Sequence, residues 1–185
     1  ITLTIAGLQN GSDEILNVDG QAIALTHENA VITDANSYQV DVSIDDDTAT
    51  VTLTKEGNYS AEDAQTLVDG LSYQNNSQHP LGNNRTATLT QVTDTGDTDN
   101  EGVDTRTLNI ASTVSLTPVN DAPTLTATAD NATFTEGGAA ASLFNSTAID
   151  VIESPDAIES ITLTIAGLQN GSDEILNVDG QAIAL

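Results

Sequence analysis

The chain predicts an all-β fold, an antiparallel β-sandwich with one short helix. Three observations carry the prediction. Short Thr-rich runs alternate apolar and polar residues, turn residues recur every eight to twelve positions, and one internal segment has helical spacing instead. In "ITLTI", Ile1, Leu3 and Ile5 fall on one face and Thr2 and Thr4 on the other. In "YQVDVSI", Val40, Val42 and Ile44 oppose Asp41 and Ser43. The alternation resumes at Val51 and Leu53, so Asp45–Thr48 reads as a hairpin turn. Further strands are expected in "EILNV", "AIAL", "TATLTQV", "TRTLNI", "STVSLT", "TLTATA" and "ATFT". The exception is "SAEDAQTLVDGLSY". Ser60 is placed to cap a helix, Glu62 and Asp63 lie in its first turn, and Ala64, Leu67, Val68 and Leu71 are helically spaced, so a short helix is expected over Ala61–Val68, ending near Gly70.

The first twenty-five residues, Ile1–Leu25, recur without a difference as Ile161–Leu185, 160 positions later. Identity over that length marks a tandem repeat with a unit of about 160 residues, a normal size for one domain with its own core. The clearest boundary is "LTPVNDAPTL", where Pro118 and Pro123 each hold the preceding residue extended, as in a short, stiff linker. The expected division is therefore 1–119, the later part of one repeat, and 120–185, the first part of the next. In the repeat, the residues ahead of "ITLTI" are those matching Asn120–Ser160, which include the expected first strands. Residues 1–119 alone should then present an open edge or core, to be completed by a neighbouring repeat or a neighbouring molecule.

Charge excludes several functions. Three basic residues, Lys55, Arg85 and Arg106, face 28 Asp and Glu, for a net charge of −25. Such a polyanion does not bind nucleic acid or an anionic membrane surface without a bridging cation. The 38% of hydrophobic residues in strand-like patterns set it apart from a disordered acidic tail. No apolar run is long enough for a membrane-spanning helix and no basic-then-apolar leader starts the sequence. A window from the middle of an array lacks both whatever its parent carries. Cysteine is absent, so disulfides do not stabilise the fold, and clustered carboxylates point to bound divalent cations in their place.

Four places concentrate the hard oxygen ligands that calcium takes six to eight at a time. Glu136 stands in "FTEG". Asp150, Glu153, Asp156 and Glu159 stand in "AIDVIESPDAIES", and with Asn120 and Asp121 of the linker they are expected near one junction. Asp94, Asp97, Asp99 and Glu101 lie in "TDTGDTDNEG", whose start echoes an EF-hand loop; the twelfth position from Asp97 is Leu108, which cannot supply the bidentate carboxylate of that motif. Asp45, Asp46 and Asp47 read better as a charged turn. Each cluster has a plain alternative, a solvated acidic loop. No catalytic grouping is expected: His27 and His79 lie in polar surroundings, and neither a Gly-x-Ser-x-Gly elbow nor a phosphate-cradling loop occurs. With aromatic residues at 3%, the stacking platforms of a sugar-cleaving site are missing too.

"VNDAP", "FTEG" and the ordered series Leu67, Leu71, Tyr73, Asn75, Ser77, Pro80, Arg85 and then "VTD" resemble the extender repeats of giant bacterial RTX adhesins, whose domains are cadherin-like or immunoglobulin-like sandwiches. The resemblance covers nearly all of the unit. It implies a calcium-rigidified structural spacer on the bacterial cell surface, extracellular, which projects an adhesive tip in biofilm or surface adhesion. The linker carries one carboxylate, Asp121, which implies fewer calcium ions per junction than cadherin's acidic linkers hold. The alternative function is a calcium-dependent domain that binds a polysaccharide or protein, or a homotypic adhesion domain. Scarce aromatics and exact repetition favour the spacer.

Overall fold

A computed structural model describes residues 1–82, 84–96 and 98–185. The chain forms two compact units, Ile1–Val119 and Asn120–Leu185. It consists mostly of β-strands in antiparallel sheets, with one short α-helix.

The first unit holds β1 (Thr2–Ala6), β2 (Glu14–Val18), β3 (Gln21–Ala24), β4 (Asn29–Ile32), β5 (Tyr38–Asp45), β6 (Thr48–Lys55), helix α1 (Ala61–Asp69), β7 (Ser72–Asn75), β8 (Asn84–Thr93) and β9 (Thr105–Ser115). A six-stranded sheet runs β4-β5-β6-β1-β8-β9 and a three-stranded sheet runs β3-β2-β7. Alternation on the strands builds the core between them. Leu3 and Ile5 of β1, Val40 and Val42 of β5, and Val51 and Leu53 of β6 pack in one cluster with Leu16, Val18 and Ile23 of the smaller sheet. Threonines between them hold the outer face, where the branched side chain suits extended backbone.

The turns follow from local chemistry. Asp19 and Gly20 join β2 to β3 with φ of 55° and 78°, the two positive angles of the type I′ turn that matches strand twist. Asp46, φ 51°, turns β5 into β6 within the expected span. Helix α1 opens with a capping box. The Ser60 hydroxyl accepts from Asp63 N–H at 3.1 Å, and the Asp63 carboxylate accepts from the Ser60 hydroxyl at 2.8 Å and from Ser60 N–H at 3.2 Å; these last two bonds, the hydroxyl's first, hold that carboxyl below its ordinary range. The helix seats Leu67 in the core and ends at Gly70.

The second unit holds two hairpins: β10 (Thr124–Ala129) with β11 (Phe144–Asp150), and β12 (Ile175–Val178) with β13 (Gln181–Ala184). The structure departs from the sequence expectations in five places. "TRTLNI" and "STVSLT" join in the single eleven-residue β9. "ATFT" is not a strand, while β4, β7 and β11, none of them anticipated, are.

The duplicated segment shows how much of this is local. In both copies Gly11–Asp13 or Gly171–Asp173 forms a 3-10 turn, and a hairpin follows through Asp179 and Gly180 as through Asp19 and Gly20. "ITLTI" is strand β1 only in the first copy. There it lies between β6 and β8, which come from residues 48–55 and 84–93. The turn and hairpin are encoded within twenty-five residues; the strand needs partners from further along the chain.

Candidate functional site

Among the described residues two carboxylates are withdrawn from water: Glu14 in the first unit and Glu153 in the second. Their surroundings differ: one carboxylate is fully hydrogen-bonded and the other is not.

Glu14 opens β2 in the smaller sheet and Arg85 stands on β8 in the larger. The carboxylate is 0% exposed and the guanidinium 1%. Arg85 Nε donates to Glu14 Oε2 at 2.7 Å and Nη2 donates to Oε1 at 2.9 Å, a two-point pair joining the sheets. The Tyr73 hydroxyl donates to Oε2 at 2.8 Å, and the N–H groups of Gln9 and Asn10 donate to Oε1 at 2.6 and 2.8 Å. The remaining guanidinium hydrogens reach Asn10 Oδ1, Leu81 O and Asn84 O. Burial alone would raise the Glu14 carboxyl; Arg85, the two backbone N–H groups and Tyr73 outweigh it and hold the group below its ordinary range. The hydrogen bond to Glu14 raises Arg85, and burial, followed by the bond to Glu14, raises Tyr73. With every oxygen partnered, the cluster is a clasp between sheets and leaves no oxygen free for a ligand.

Counted as one of three basic residues, Arg85 has no partner assigned to it by the sequence. A signal was there: Arg85, Ala87 and Leu89 share one parity in β8, the parity that faces the core. The second copy shows the clasp half-built. Glu174 accepts from Gln169 and Asn170 N–H at 2.6 and 2.8 Å, the same turn as at Glu14, and these two bonds hold its carboxyl below the ordinary range. It is only partly buried.

Glu153 is 5% exposed. Its Oε1 accepts from Asp121 N–H at 2.7 Å, and its Oε2 is buried with no hydrogen-bond partner. A buried carboxylate oxygen is stable beside a donor or a cation, and here no donor reaches it. Of the expected ligands, the structure brings Asp121 and Glu153 together through the Asp121 backbone. Asp156 joins by its N–H, which donates to the Glu153 carbonyl at 3.1 Å. The Asn120 side chain donates to the Asp121 carbonyl at 3.3 Å. Asp150 Oδ1 accepts from Ile152 N–H at 3.0 Å, closing a turn two residues before Glu153. Glu136 stands apart, in a turn where Gly138 N–H donates to the Thr135 carbonyl at 2.8 Å. Among the described residues no group of three or more acidic or histidine side chains converges as a metal would need. A cation at Glu153 would draw on carbonyl and water oxygens for the balance of its shell.

In the acidic loop of the first unit, Asp94 Oδ1 accepts from Gly96 N–H at 2.8 Å, and Asp99 opens a 3-10 turn, Asp99–Glu101. Asp97 lies outside the described residues. Asp19 shows the same economy as the clasp: it accepts from Thr33 Oγ1, Asn36 N and Asn36 Nδ2 at 2.6–2.8 Å, which outweighs burial and lowers its carboxyl.

No protein family, no characterised protein and no solved structure matches this chain.

Proposed function

We propose that the chain is a structural extender: a section of a calcium-stiffened tandem array that carries an adhesive tip away from a bacterial cell. Exact duplication at 160 positions, the acid surplus and the resemblance to RTX adhesin extenders support the array. Two antiparallel sheets around one core support the cadherin-like or immunoglobulin-like sandwich as its unit. The observation that carries the calcium reading is the partnerless, buried Oε2 of Glu153, tied through Oε1 to the linker residue Asp121.

The chain's own groups divide the work. Asp121 N–H fixes the Glu153 carboxylate, so the linker backbone and the connection after β11 are held to one another. Oε2, buried and without a hydrogen-bond donor, leaves a hard oxygen for a hard cation. Calcium, when bound, supplies positive charge that offsets self-repulsion among the carboxylates. At extracellular-module affinities of about 10⁻⁴ M, about 1 mM calcium stabilises by about 1.4 kcal/mol per site.

The test is calorimetric titration of calcium into the chain and into Glu153→Gln, with thermal melting in calcium and in chelator. The expected result is heat and a raised Tm for the parent, and loss of one site in the variant. Equal binding by both would remove Glu153 from the account, and no binding by either would remove calcium.

A further inference from the structure

The three-stranded sheet covers only part of the six-stranded one, and exposure along one row of paired residues records where cover ends. Leu3 of β1, Leu89 of β8 and Ile110 of β9 are register partners and share a face. Leu3 is 3% exposed, Leu89 is half-buried and Ile110 is 60% exposed. Beside them, β7 pairs with β2 on one side and is the edge of its sheet. Leu71, Tyr73, Leu89, Ile110 and Val114 line an open apolar trough of about 500 Å³ between that edge and the β8–β9 face.

The second unit contains an apolar face in search of cover. In the β10–β11 hairpin, Leu125 pairs with Ile149 and Ala129 with Phe144. Leu125, Ala127 and Ala129 lie on one face of β10 by alternation, with Thr124, Thr126 and Thr128 on the other. A bulge at Ser146, φ 50°, shifts the register between these pairs and brings Phe144 to the face of Ile149. Leu125, Ile149 and Phe144 are all exposed.

We infer that the trough takes the β10–β11 hairpin of a second copy of this chain, added at the free edge of β7 with its apolar face on Leu89, Ile110 and Val114. The occupant follows from the duplication. The residues that run into the second "ITLTI" are Asn120–Ser160, so the segment that precedes β1 in the repeat is the one that contains this hairpin. In a longer array it arrives in cis; between separate 185-residue chains it arrives from a neighbour. An edge strand with an uncovered apolar face beside it is the ordinary acceptor for strand addition. Each chain has one acceptor and one donor, so the association is head-to-tail and propagates. The inference rests on the repeat reading but not on calcium.

Sedimentation velocity on the 185-residue chain tests it, in chelator and about 0.15 M salt so that failure of the calcium reading leaves it untouched and charge repulsion is screened. Two variants separate the faces: Ile110→Asp in the exposed acceptor and Phe144→Asp in the donor. The expected result is concentration-dependent assembly of the parent and at least tenfold weaker assembly of either variant. Mixed variants should give a one-to-one dimer that grows no further, because one retains a donor and the other an acceptor. A parent that stays monomeric, or variants that assemble like it, would overturn the inference. So would a monomer in which Ile110→Cys and Phe144→Cys cross-link within one chain, which would put the chain's own hairpin in the trough.

Discussion

Replacing Glu14 by Gln leaves the shape of the clasp and removes its negative charge. Arg85, 1% exposed, then keeps its bonds to Asn10, Leu81 and Asn84 but loses the anion that compensates it. Removing one member of a buried pair costs about 3–5 kcal/mol. For a unit the size of Ile1–Val119, each kcal/mol is worth about 4 °C, so the expected fall in Tm is about 12–20 °C. The duplication provides the control. Glu174→Gln alters the same turn, with the same two backbone bonds, at a position that is only partly buried, and should change stability far less than Glu14→Gln. The assay is urea and thermal unfolding followed by tyrosine fluorescence, which reports the first unit alone because Tyr38, Tyr59 and Tyr73 are the chain's three tyrosines and tryptophan is absent. The double change Glu14→Leu with Arg85→Met should recover much of the loss, since no charge is then stranded. If Glu14→Gln and Glu174→Gln have the same small effect, the clasp does not hold the sheets together.

Three further predictions follow from the same features. The Glu14 carboxyl is lowered in the folded chain, so its contribution is full above the ordinary carboxylate range and is lost as pH falls through the folded value. The stability gap between parent and Glu14→Gln should therefore narrow on acidification from pH 7 to below about pH 4, and a constant gap would contradict the assignment. Gly7, φ +88°, would place a Cβ 2.8 Å from the Asn84 carbonyl, whereas Gly167, φ +86°, faces open space. Gly7→Ala should thus destabilise the first unit well beyond the roughly 1–2 kcal/mol of left-handed strain that Gly167→Ala meets alone, as read by urea unfolding. By hydrogen exchange, amides of β2 and β3 should exchange at least about a thousandfold more slowly than the identical amides of β12 and β13, because the first pair opens with the core and the second opens locally. Equal rates would mean that the core does not protect the first copy.

Legibility in the sequence tracked the range of the interactions. The alternation of β1, β5 and β6 and the capping signal of α1 act over a few residues and could be read directly. β7 was hidden behind helical spacing that runs on to Leu71, and only its pairing with β2 makes Ser72–Asn75 a strand. β11 was obscured because the bulge at Ser146 breaks the period of two that a strand announces. The clasp joins residues 71 positions apart, and no local pattern ties Glu14 to Arg85. At the linker, Asp150, Glu153 and Asp156 were equivalent as carboxylates in one acidic run. Burial singles out Glu153, and burial depends on how Asp121 returns to it across 32 positions.

The central claim, a calcium-stiffened spacer, is tested most directly by small-angle scattering on a tandem of two or more complete repeats, titrated with calcium after chelation and compared with the same tandem carrying Glu153→Gln. The account predicts that maximum dimension and Tm both rise with calcium in the parent, and rise less when Glu153 is replaced. A parent whose dimension and Tm stay unchanged through millimolar calcium would contradict it and leave the acidic clusters as solvated loops.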